Sequence, residues 1–341
     1  MTIRKRALAL GDGRAGIDNQ SIGLAEAVAT LVPLDVEFRA VSLPDPVRRL
    51  PTALAPSEAA LSHLRNICGD FSPDLIIGSG RQAALAVIAA RRLSPRPFRV
   101  QTQSPRAPVD RFDLVIPPEH DGLSGPNVFP ILGAPGRLTR ERVTAAAAAL
   151  PPAWRRPAER RLAVLIGGPN RGFAFAEDDV ARLADAIGRL ALEGWIIAAS
   201  TSRRTPAHVA PAIRAALPEG AHCVHDASCD QSAAEPTKVG ARANPYPGLL
   251  GVADAVLVTV DSVSMASEAA SAGTPTYIFP LTPRRFGAGK FLRFQRALVA
   301  RGVARDFLGV ATPWDLAPFD ETTRAAVEIV ARWRHHESWR D

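Results

Sequence analysis

The stretch AVLVTVDSVSMASEAASAGTPTYIFP, residues 255–280, decides the fold class. Its first residues form a short apolar run rich in valine, which is typical of a buried parallel strand. Asp261 or Ser262 can cap a following helix. Gly273 and the proline two residues later end that helix, and residues 276–279 form the next strand. The stretch therefore predicts a strand–helix–strand unit of an α/β protein.

The turn before this predicted helix is a candidate anion site. In a parallel sheet the turn lies at the carboxyl edge, where open α/β sheets bind ligands. The helix N terminus offers N–H groups and a partial positive charge to a diphosphate near Ser262 and Ser264. Glu268 lies on the same helix face, one turn later, where a carboxylate can accept hydrogen bonds from ribose hydroxyls. The plainer interpretation is an ordinary strand–helix unit with a solvated glutamate.

Two further predicted strands of the second half run into polar turns. Residues 163–166 are followed by Gly167 and Gly168, which permit positive φ and close backbone approach. Arg171 comes next, and its guanidinium can pair with a phosphate. The strand at 196–200 leads into hydroxyls and cations: Ser200, Ser202, Arg203 and Arg204. Because parallel strands end at one edge, the three turns together predict a site for a phosphate-bearing ligand. A glycine loop chosen only for its turn is the alternative.

The first half opens on a predicted strand, residues 7–10, that meets the glycine turn GDGRAG at residues 11–16. This matches the dinucleotide pattern G-x-G-x-x-G. Asp12 would bring negative charge to the place of a pyrophosphate, so the pattern does not require NAD. An NAD-dependent epimerase of the short-chain class would carry Tyr-x-x-x-Lys, and neither Tyr246 nor Tyr277 has a lysine four residues on. An NAD-dependent nucleotide-sugar epimerase is therefore the weaker alternative.

Strands and helices alternate in both halves, which predicts an α/β fold with two doubly wound, Rossmann-like parallel sheets. The segment at 150–157 is rich in proline and charge, as a linker is. The last helix is amphipathic, with Val327, Val330 and Trp333 on one face. The expected domains are residues 1–153, residues 158–320 and a C-terminal helix, 321–341, that packs back on the first domain.

Composition limits the partners. The 341 residues include 41 basic and 34 acidic ones, and the net charge of +7 favours an anionic partner. Arginine clusters with interleaved aromatic residues of the kind that nucleic-acid-binding modules show are not evident, which argues against nucleic acid. The cysteines Cys68, Cys223 and Cys229 lack metal-ligand spacing and suggest reduced thiols. The apolar run after Arg6 is too short for a signal peptide, and no run approaches the ~20 residues of a membrane span. We therefore expect a cytoplasmic protein without a metal or cofactor.

The chain resembles a known family over nearly its whole length. Segments in matching order include GDGRAGIDNQSIGLAEA, GSGRQAALA, FDLVIPPEHDG, LIGGPNRGF, STSRRTP and TVDSVSMASEAASAGTPTYIF. They resemble the bacterial relatives of the plant mitochondrial-fission factor whose loss gives elongated mitochondria. That family is similar to two-domain glycosyltransferases of the GT-B class, including the MurG type. The resemblance implies two domains that face a cleft, with a nucleotide-diphosphate sugar in the second domain and an acceptor against the first.

The resemblance also implies residue roles. Glu268 would meet the ribose, and the diphosphate would meet the following residues: Gly167, Gly168, Ser262, Ser264 and Met265. Positive groups would replace a metal at the leaving diphosphate, because no D-x-D turn is present to hold Mg²⁺. They are Arg171, Arg203 and Arg204.

A transferase also needs a general base for its acceptor hydroxyl. The candidates are Asp12, Asp18 and His120. Acceptor-binding candidates are Gly11, Gly13, Arg14, Gln20 and Arg81. In the plainer interpretation Asp12 binds backbone N–H groups of its turn, and Asp18 caps a helix.

Two classes of function stay open. The first is a metal-independent GT-B-like glycosyltransferase of envelope polysaccharide or glycolipid assembly, with a lipid-linked or glycan acceptor. The second is a non-catalytic scaffold of the same fold that binds a protein or membrane partner. Residues 284–294 mix basic and aromatic side chains and could meet anionic lipid at the inner face of the membrane. The alternative is a basic helix whose phenylalanines belong to the core.

Overall fold

A computed structural model describes residues 4–45, 47, 57–150, 160–227, 245–316 and 318–338. The chain divides into two compact units: unit 1, Met1–Arg137 with Asp320–Asp341, and unit 2, Leu138–Phe319. The strands are β1 (Lys5–Gly11), β2 (Leu34–Ala40), β3 (Leu75–Ser79), β4 (Phe98–Thr102), β5 (Leu114–Ile116), β6 (Arg161–Ile166), β7 (Ile196–Thr201), β8 (Cys223–His225), β9 (Ala255–Thr259), β10 (Thr276–Phe279) and β11 (Ala304–Asp306). The helices are α1 (Ala15–Ala29), α2 (Ser57–Cys68), α3 (Arg81–Ala89), α4 (Arg140–Ala148), α5 (Glu177–Leu192), α6 (Val209–Ala216), α7 (Tyr246–Val252), α8 (Val263–Ala272), α9 (Gly289–Ala300) and α10 (Glu321–Ser338).

Unit 1 has a parallel sheet in the order β2-β1-β3-β4-β5. Its central strands are buried along their length because helices cover both faces. Leu61 and Leu64 of α2 pack in the core on one face, whereas Leu24 of α1 and Ile329 of α10 pack on the other. The chain order reverses between β1 and β3, so the crevice expected for a ligand lies at their carboxyl ends.

Helix α10 belongs to unit 1, where it packs on α1. Val330 and Trp333 are buried there, 7% and 5% exposed. Val327 is 52% exposed, so its predicted place on the same face is wrong. Successive residues of a helix are rotated by about 100° around its axis, so Ala326 and Val327 point in different directions. The buried stripe runs through Ala326 and not through Val327.

Unit 2 has a parallel sheet in the order β11-β10-β9-β6-β7-β8. Its chain order reverses between β6 and β9, which is the strand arrangement of the dinucleotide-binding fold. Within α8, Ser262 is the N-cap and Gly273, with φ 76°, is the left-handed C-cap, as the sequence predicts. The two parallel sheets confirm the predicted α/β class.

The unit boundary differs from the sequence boundary near residue 155. Helix α4 belongs to unit 2, because it packs closely on α7. A Cβ atom at Gly251 would lie 2.4 Å from the carbonyl oxygen of Val143, and one at Gly248 would lie 2.8 Å from Leu150 Cγ. The absence of side chains at these two glycines allows the contact, which local sequence patterns do not reveal.

Other sequence predictions differ in detail. Residues 128–131 make two isolated bridges, from Val128 to Val115 and from Ile131 to Pro118. The short elements α7 and β11 had no sequence signal. Most of the predicted linker lies outside the described residues.

Candidate functional site

Three polar turns of unit 2 meet at the carboxyl edge of its sheet, where β6 and β9 are neighbours. Arg204, after β7, donates from Nη1 to the carbonyl oxygen of Gly168, after β6, at 3.0 Å. Asn170 donates from Nδ2 to the carbonyl oxygen of Asp261, after β9, at 3.1 Å. The turns that the sequence placed at one edge are therefore in direct contact, at the switch point of the sheet.

The Asp261 carboxylate lies at the centre of this contact. Its Oδ2 accepts the Gly168 N–H at 2.9 Å, and its Oδ1 accepts the Thr259 hydroxyl at 2.7 Å. The Arg204 guanidinium is 3.5 Å from Oδ2. Burial raises the pKa of Asp261, although these three partners favour its charged form. The sequence predicts Asp261 only as a candidate helix cap; the signal for its further role is an acid that comes directly after a predicted buried strand.

The glycines of the β6 turn serve close packing. Neither Gly167 nor Gly168 has a positive φ. A Cβ atom at Gly167 would lie 2.2 Å from Asp261 Oδ2, and one at Gly168 would lie 2.4 Å from the Arg204 carbonyl oxygen. The Gly167 N–H donates to Thr259 Oγ1 at 2.8 Å, and the Gly168 N–H donates to Asp261. Both N–H groups that were predicted to face a diphosphate thus have acceptors within the protein.

Some polar groups at the start of α8 also have hydrogen-bond partners within the protein. The Ser262 Oγ atom accepts the Met265 N–H at 3.4 Å, so these two groups cap the helix. Ser264 is half-buried in the first turn. The N–H groups of Val263 and Ser264 have no acceptor within the helix, since first-turn groups precede the first hydrogen-bonded turn. Among the described residues they have no acceptor, so they are the backbone donors that could bind an anion at this end.

Glu268 lies one turn after Ser264 on α8 and bonds to Tyr246 of α7. The Tyr246 hydroxyl donates to Glu268 Oε2 at 2.5 Å. Burial raises the pKa of Glu268 to about 7, against the opposing effect of this hydrogen bond. Burial and the nearby carboxylate also raise the pKa of Tyr246. One of the Glu268 oxygens that were predicted to accept hydrogen bonds from ribose hydroxyls therefore accepts one from Tyr246.

The turn after β7 separates the predicted residues into internal and exposed ones. Ser200 is buried within the strand. Ser202 bonds to Thr205, through its N–H at 2.8 Å and its hydroxyl at 3.0 Å. Arg171 and Arg203 have exposed side chains, and that of Arg204 is half-exposed. The arginines are thus the predicted donor-site residues that solvent reaches most easily.

The β1 turn of unit 1 is built around Asp18. A Cβ atom at Gly11 would lie 1.9 Å from Asp18 Oδ1, so only glycine fits there. Gly13, with φ 83°, donates its N–H to the same oxygen at 3.2 Å. Burial raises the pKa of Asp18, and the Gly13 N–H opposes that rise. Gly11 and Gly13 therefore position Asp18, one of the predicted base candidates.

Asp12, a predicted base candidate, and Arg14, a predicted acceptor-binding residue, form an ion pair. Arg14 Nε lies 3.0 and 3.1 Å from the two Asp12 oxygens, and its Nη2 lies 2.5 Å from Oδ2. Gly80, with φ 84°, lies beside the Asp12 carboxylate, and a Cβ atom at this glycine would lie 3.1 Å from Oδ2. The β1 and β3 turns thus meet at the switch point of unit 1. The Arg14 guanidinium thus occupies both carboxylate oxygens of Asp12.

The other candidates of unit 1 are Gln20 in α1, Arg81 at the start of α3 and His120 after β5. Gln20 accepts from the Gln103 side-chain amide at 2.8 Å and is buried. Arg81 begins α3 directly after Gly80. His120 lies in a 3-10 turn after β5, with Nε2 3.9 Å from Asp121 Oδ1. In the described part of the chain, no group of three His, Cys, Asp or Glu side chains could hold a metal ion.

Comparison with known proteins assigns the family. A family model described as mitochondrial fission ELM1 matches residues 15–333, so the chain belongs to this family. An uncharacterized protein of Rickettsia prowazekii, RP120, is 28% identical over 94% of this chain and 96% of its own length. The mitochondrial fission protein ELM1 of Arabidopsis thaliana is 28% identical over 75% of this chain. That alignment spans 63% of the Arabidopsis protein.

Solved structures define the fold class. A Listeria monocytogenes protein, proposed to be a UDP-N-acetylglucosamine 2-epimerase, has a TM-score of 0.55 at 12% identity and covers 100% of this chain and 98% of its own. The S. aureus protein MnaA, solved with UDP, has a TM-score of 0.50 at 11% identity over 97% and 90% of the two chains. The spinosyn forosaminyltransferase SpnP also has a TM-score of 0.50, at 15% identity over 98% and 92%. The chain thus has the two-sheet fold of GT-B glycosyltransferases and epimerases. No helix of its described part could span a membrane.

Proposed function

We propose that this chain is a metal-independent glycosyltransferase that takes its sugar from a nucleoside diphosphate. The observation that carries the proposal is the convergence of the β6, β7 and β9 turns at the switch point of unit 2, beside exposed arginines. This is where sheets of this order bind nucleotides. The UDP bound to the S. aureus structural neighbour agrees with that ligand class.

The proposed donor contacts follow from which groups the protein leaves accessible. Arg171, Arg203 and Arg204 and the first turn of α8 bind the diphosphate, and Glu268 binds the ribose. The N–H groups of Gly167 and Gly168 act indirectly, because they hold the turn through Thr259 and Asp261. As the bond from the sugar to the diphosphate breaks, its electron pair leaves with the diphosphate, and the arginines stabilise the added charge.

Unit 1 supplies the acceptor side in this proposal, and Asp18 is the preferred base. The acceptor oxygen bonds to the sugar carbon while its proton passes to the base. Asp18 bonds to a neutral backbone N–H, whereas Asp12 is held by a guanidinium. Burial raises the pKa of Asp18, and a carboxylate with a raised pKa is the stronger base. Gln20 and Arg81 remain candidates for acceptor binding.

Nucleotide binding tests the proposal. UDP, GDP, CMP and NAD are each added to the wild-type protein in a thermal-shift assay. The same assay is run on Glu268→Ala and on the control variant Glu177→Ala, which changes an exposed glutamate of the same unit. A nucleoside diphosphate at a hundred times its Kd should stabilise by about 2.7 kcal/mol, or roughly 5–10 °C. The shift should vanish in Glu268→Ala and persist in Glu177→Ala. A response to NAD alone would instead support the epimerase.

A non-catalytic scaffold is the second candidate, favoured by a specific observation. The Gly167 and Gly168 N–H groups, Ser262 and Glu268 all have partners within the protein. A site whose polar groups satisfy each other can be a relic of nucleotide binding. The absence of a response to every nucleotide would favour this candidate, whereas a shift that is identical in Glu268→Ala would remove only the ribose-binding role of Glu268.

An anionic membrane surface is a further proposed partner, at residues 284–294. Phe286 is 74% exposed, with the Arg285 guanidinium 5.2 Å from its ring, and Arg284 and Lys290 are exposed beside it. Phe294 is buried, so only part of the aromatic content belongs to the core. Vesicles with and without phosphatidylserine test this partner by co-sedimentation. Phe286→Ser should reduce binding to the anionic vesicles, and equal binding to both vesicle types would remove the partner.

A further inference from the structure

We propose that Asp261 is an internal anion, which fills the phosphate-binding position of unit 2 and lowers the affinity of this site for diphosphates. The inference deepens the proposed function, because it rests on unit 2 as the nucleotide-binding unit. In this inference Asp261 sets the affinity of the site for a diphosphate without itself binding the ligand.

Three kinds of group that bind phosphate in proteins converge on one carboxylate. They are a backbone N–H of a glycine turn, a hydroxyl and a guanidinium. Gly168 N is 2.9 Å from Asp261 Oδ2, Thr259 Oγ1 is 2.7 Å from Oδ1, and Arg204 Nη2 is 3.5 Å from Oδ2. The donors that would hold a phosphate oxygen therefore hold an oxygen of the protein itself.

The position of the carboxylate supports the same conclusion. Asp261 follows β9, and the glycine turn follows β6, on the two sides of the switch point. A Cβ atom at Gly167 would lie 2.2 Å from Asp261 Oδ2. The space that this glycine leaves open next to the backbone is thus filled by the carboxylate, in the crevice where such sheets bind ligands.

The charge on Asp261 has a predictable effect on a nearby anion. The side chain is fully buried, and its one ion-pair partner among the described residues, Arg204, is half-exposed. A diphosphate that binds to Arg204 would compete with this carboxylate for the guanidinium and would be repelled by it. Replacing the carboxylate with a neutral group of the same size removes both effects and leaves Arg204 for the ligand.

Asp261→Asn is the direct test, and Asp254→Asn is its matched control. Asp254 lies at the other end of β9, where its Oδ2 accepts the Arg161 N–H of β6 at 2.7 Å. Calorimetry measures the Kd of inorganic pyrophosphate and of UDP for both variants and the wild type. We expect Asp261→Asn to bind both ligands at least tenfold more tightly and Asp254→Asn to bind like the wild type. Equal affinities in the two variants would overturn the proposal.

The two ligands separate this inference from the proposed function. If the wild type binds UDP and Asp261→Asn gains nothing, the nucleotide site stands and the internal anion is wrong. If Asp261→Asn gains affinity for pyrophosphate while neither protein binds UDP, the internal anion stands and the nucleotide function is wrong. If no protein binds either ligand, both are wrong. Should Asp261→Asn not fold, Asp261→Ser is measured under the same conditions and judged by the same outcomes.

Discussion

The Tyr246 hydroxyl donates a 2.5 Å hydrogen bond to Glu268 Oε2 and so joins α7 to α8 in unit 2. Burial raises the pKa of Glu268 to about 7, so the carboxyl group changes from protonated to charged near neutral pH. An exposed glutamate would be charged throughout this range. The pair thus gives the stability of unit 2 a pH dependence that can be measured.

Glu268→Gln should remove that pH dependence. The folded pKa of about 7 exceeds the unfolded value near 4.3, so the folded state binds more protons between these limits. The contribution of Glu268 to stability is therefore greatest at low pH and is lost as the pH rises through 7. Urea unfolding at pH 5, 6, 7 and 8 measures the free energy of unfolding of the wild type. The Glu268 contribution to it should fall as the pH rises, with a slope that approaches about 1.4 kcal/mol per pH unit. The slope should be reduced in Glu268→Gln and kept in Glu177→Gln; equal slopes in all three proteins would contradict the pKa of Glu268.

Tyr246→Phe tests the strength of the same hydrogen bond. The change removes the donor and leaves a half-buried carboxyl group, which should lower the free energy of unfolding by about 1–3 kcal/mol. A double-mutant cycle with Glu268→Gln isolates the pairwise contribution. Urea unfolding at pH 8 is the measurement, because the carboxylate is then charged. A coupling energy near zero would show that the contact adds no stability.

Gly167→Ala should strongly destabilise unit 2. The new methyl group would lie 2.2 Å from Asp261 Oδ2, and this buried carboxylate cannot move without losing its partners. Overpacking of this kind costs about 1–3 kcal/mol, or more. Gly289→Ala is the control, because the nearest atom to its Cβ is Arg293 Nη1 at an ordinary 3.6 Å. Thermal unfolding of both variants checks the prediction, and a Gly167→Ala protein as stable as Gly289→Ala would refute the packing argument.

The sequence predicted the elements that local chemistry determines. The run from Ala255, the Ser262 cap and Gly273 all behave as their residue types require. Both parallel sheets follow from the alternation of such units. The meeting of three polar turns at one edge was also predictable, since it depends only on parallel strands ending together.

The sequence could not show which groups within that edge bind each other. Gly168 and Asp261 are 93 residues apart, and their hydrogen bond depends on β6 lying beside β9. The Tyr246–Glu268 contact likewise depends on how α7 packs. A glycine that admits a carboxylate and a glycine that admits a phosphate have the same local pattern. For that reason the sequence located the candidate site but not its internal occupant.

Trp333→Ala tests the place of α10 in unit 1. Trp333 is buried in a core cluster with Leu24 and Ile329, so its truncation should cost about 3–5 kcal/mol. Val327→Ala on the same helix changes a side chain that is 52% exposed and should cost less than about 0.5 kcal/mol. Amide hydrogen exchange in α1, which packs on α10, should accelerate in Trp333→Ala and stay unchanged in Val327→Ala. Equal protection of α1 in both variants would mean that α10 does not stabilise the first unit.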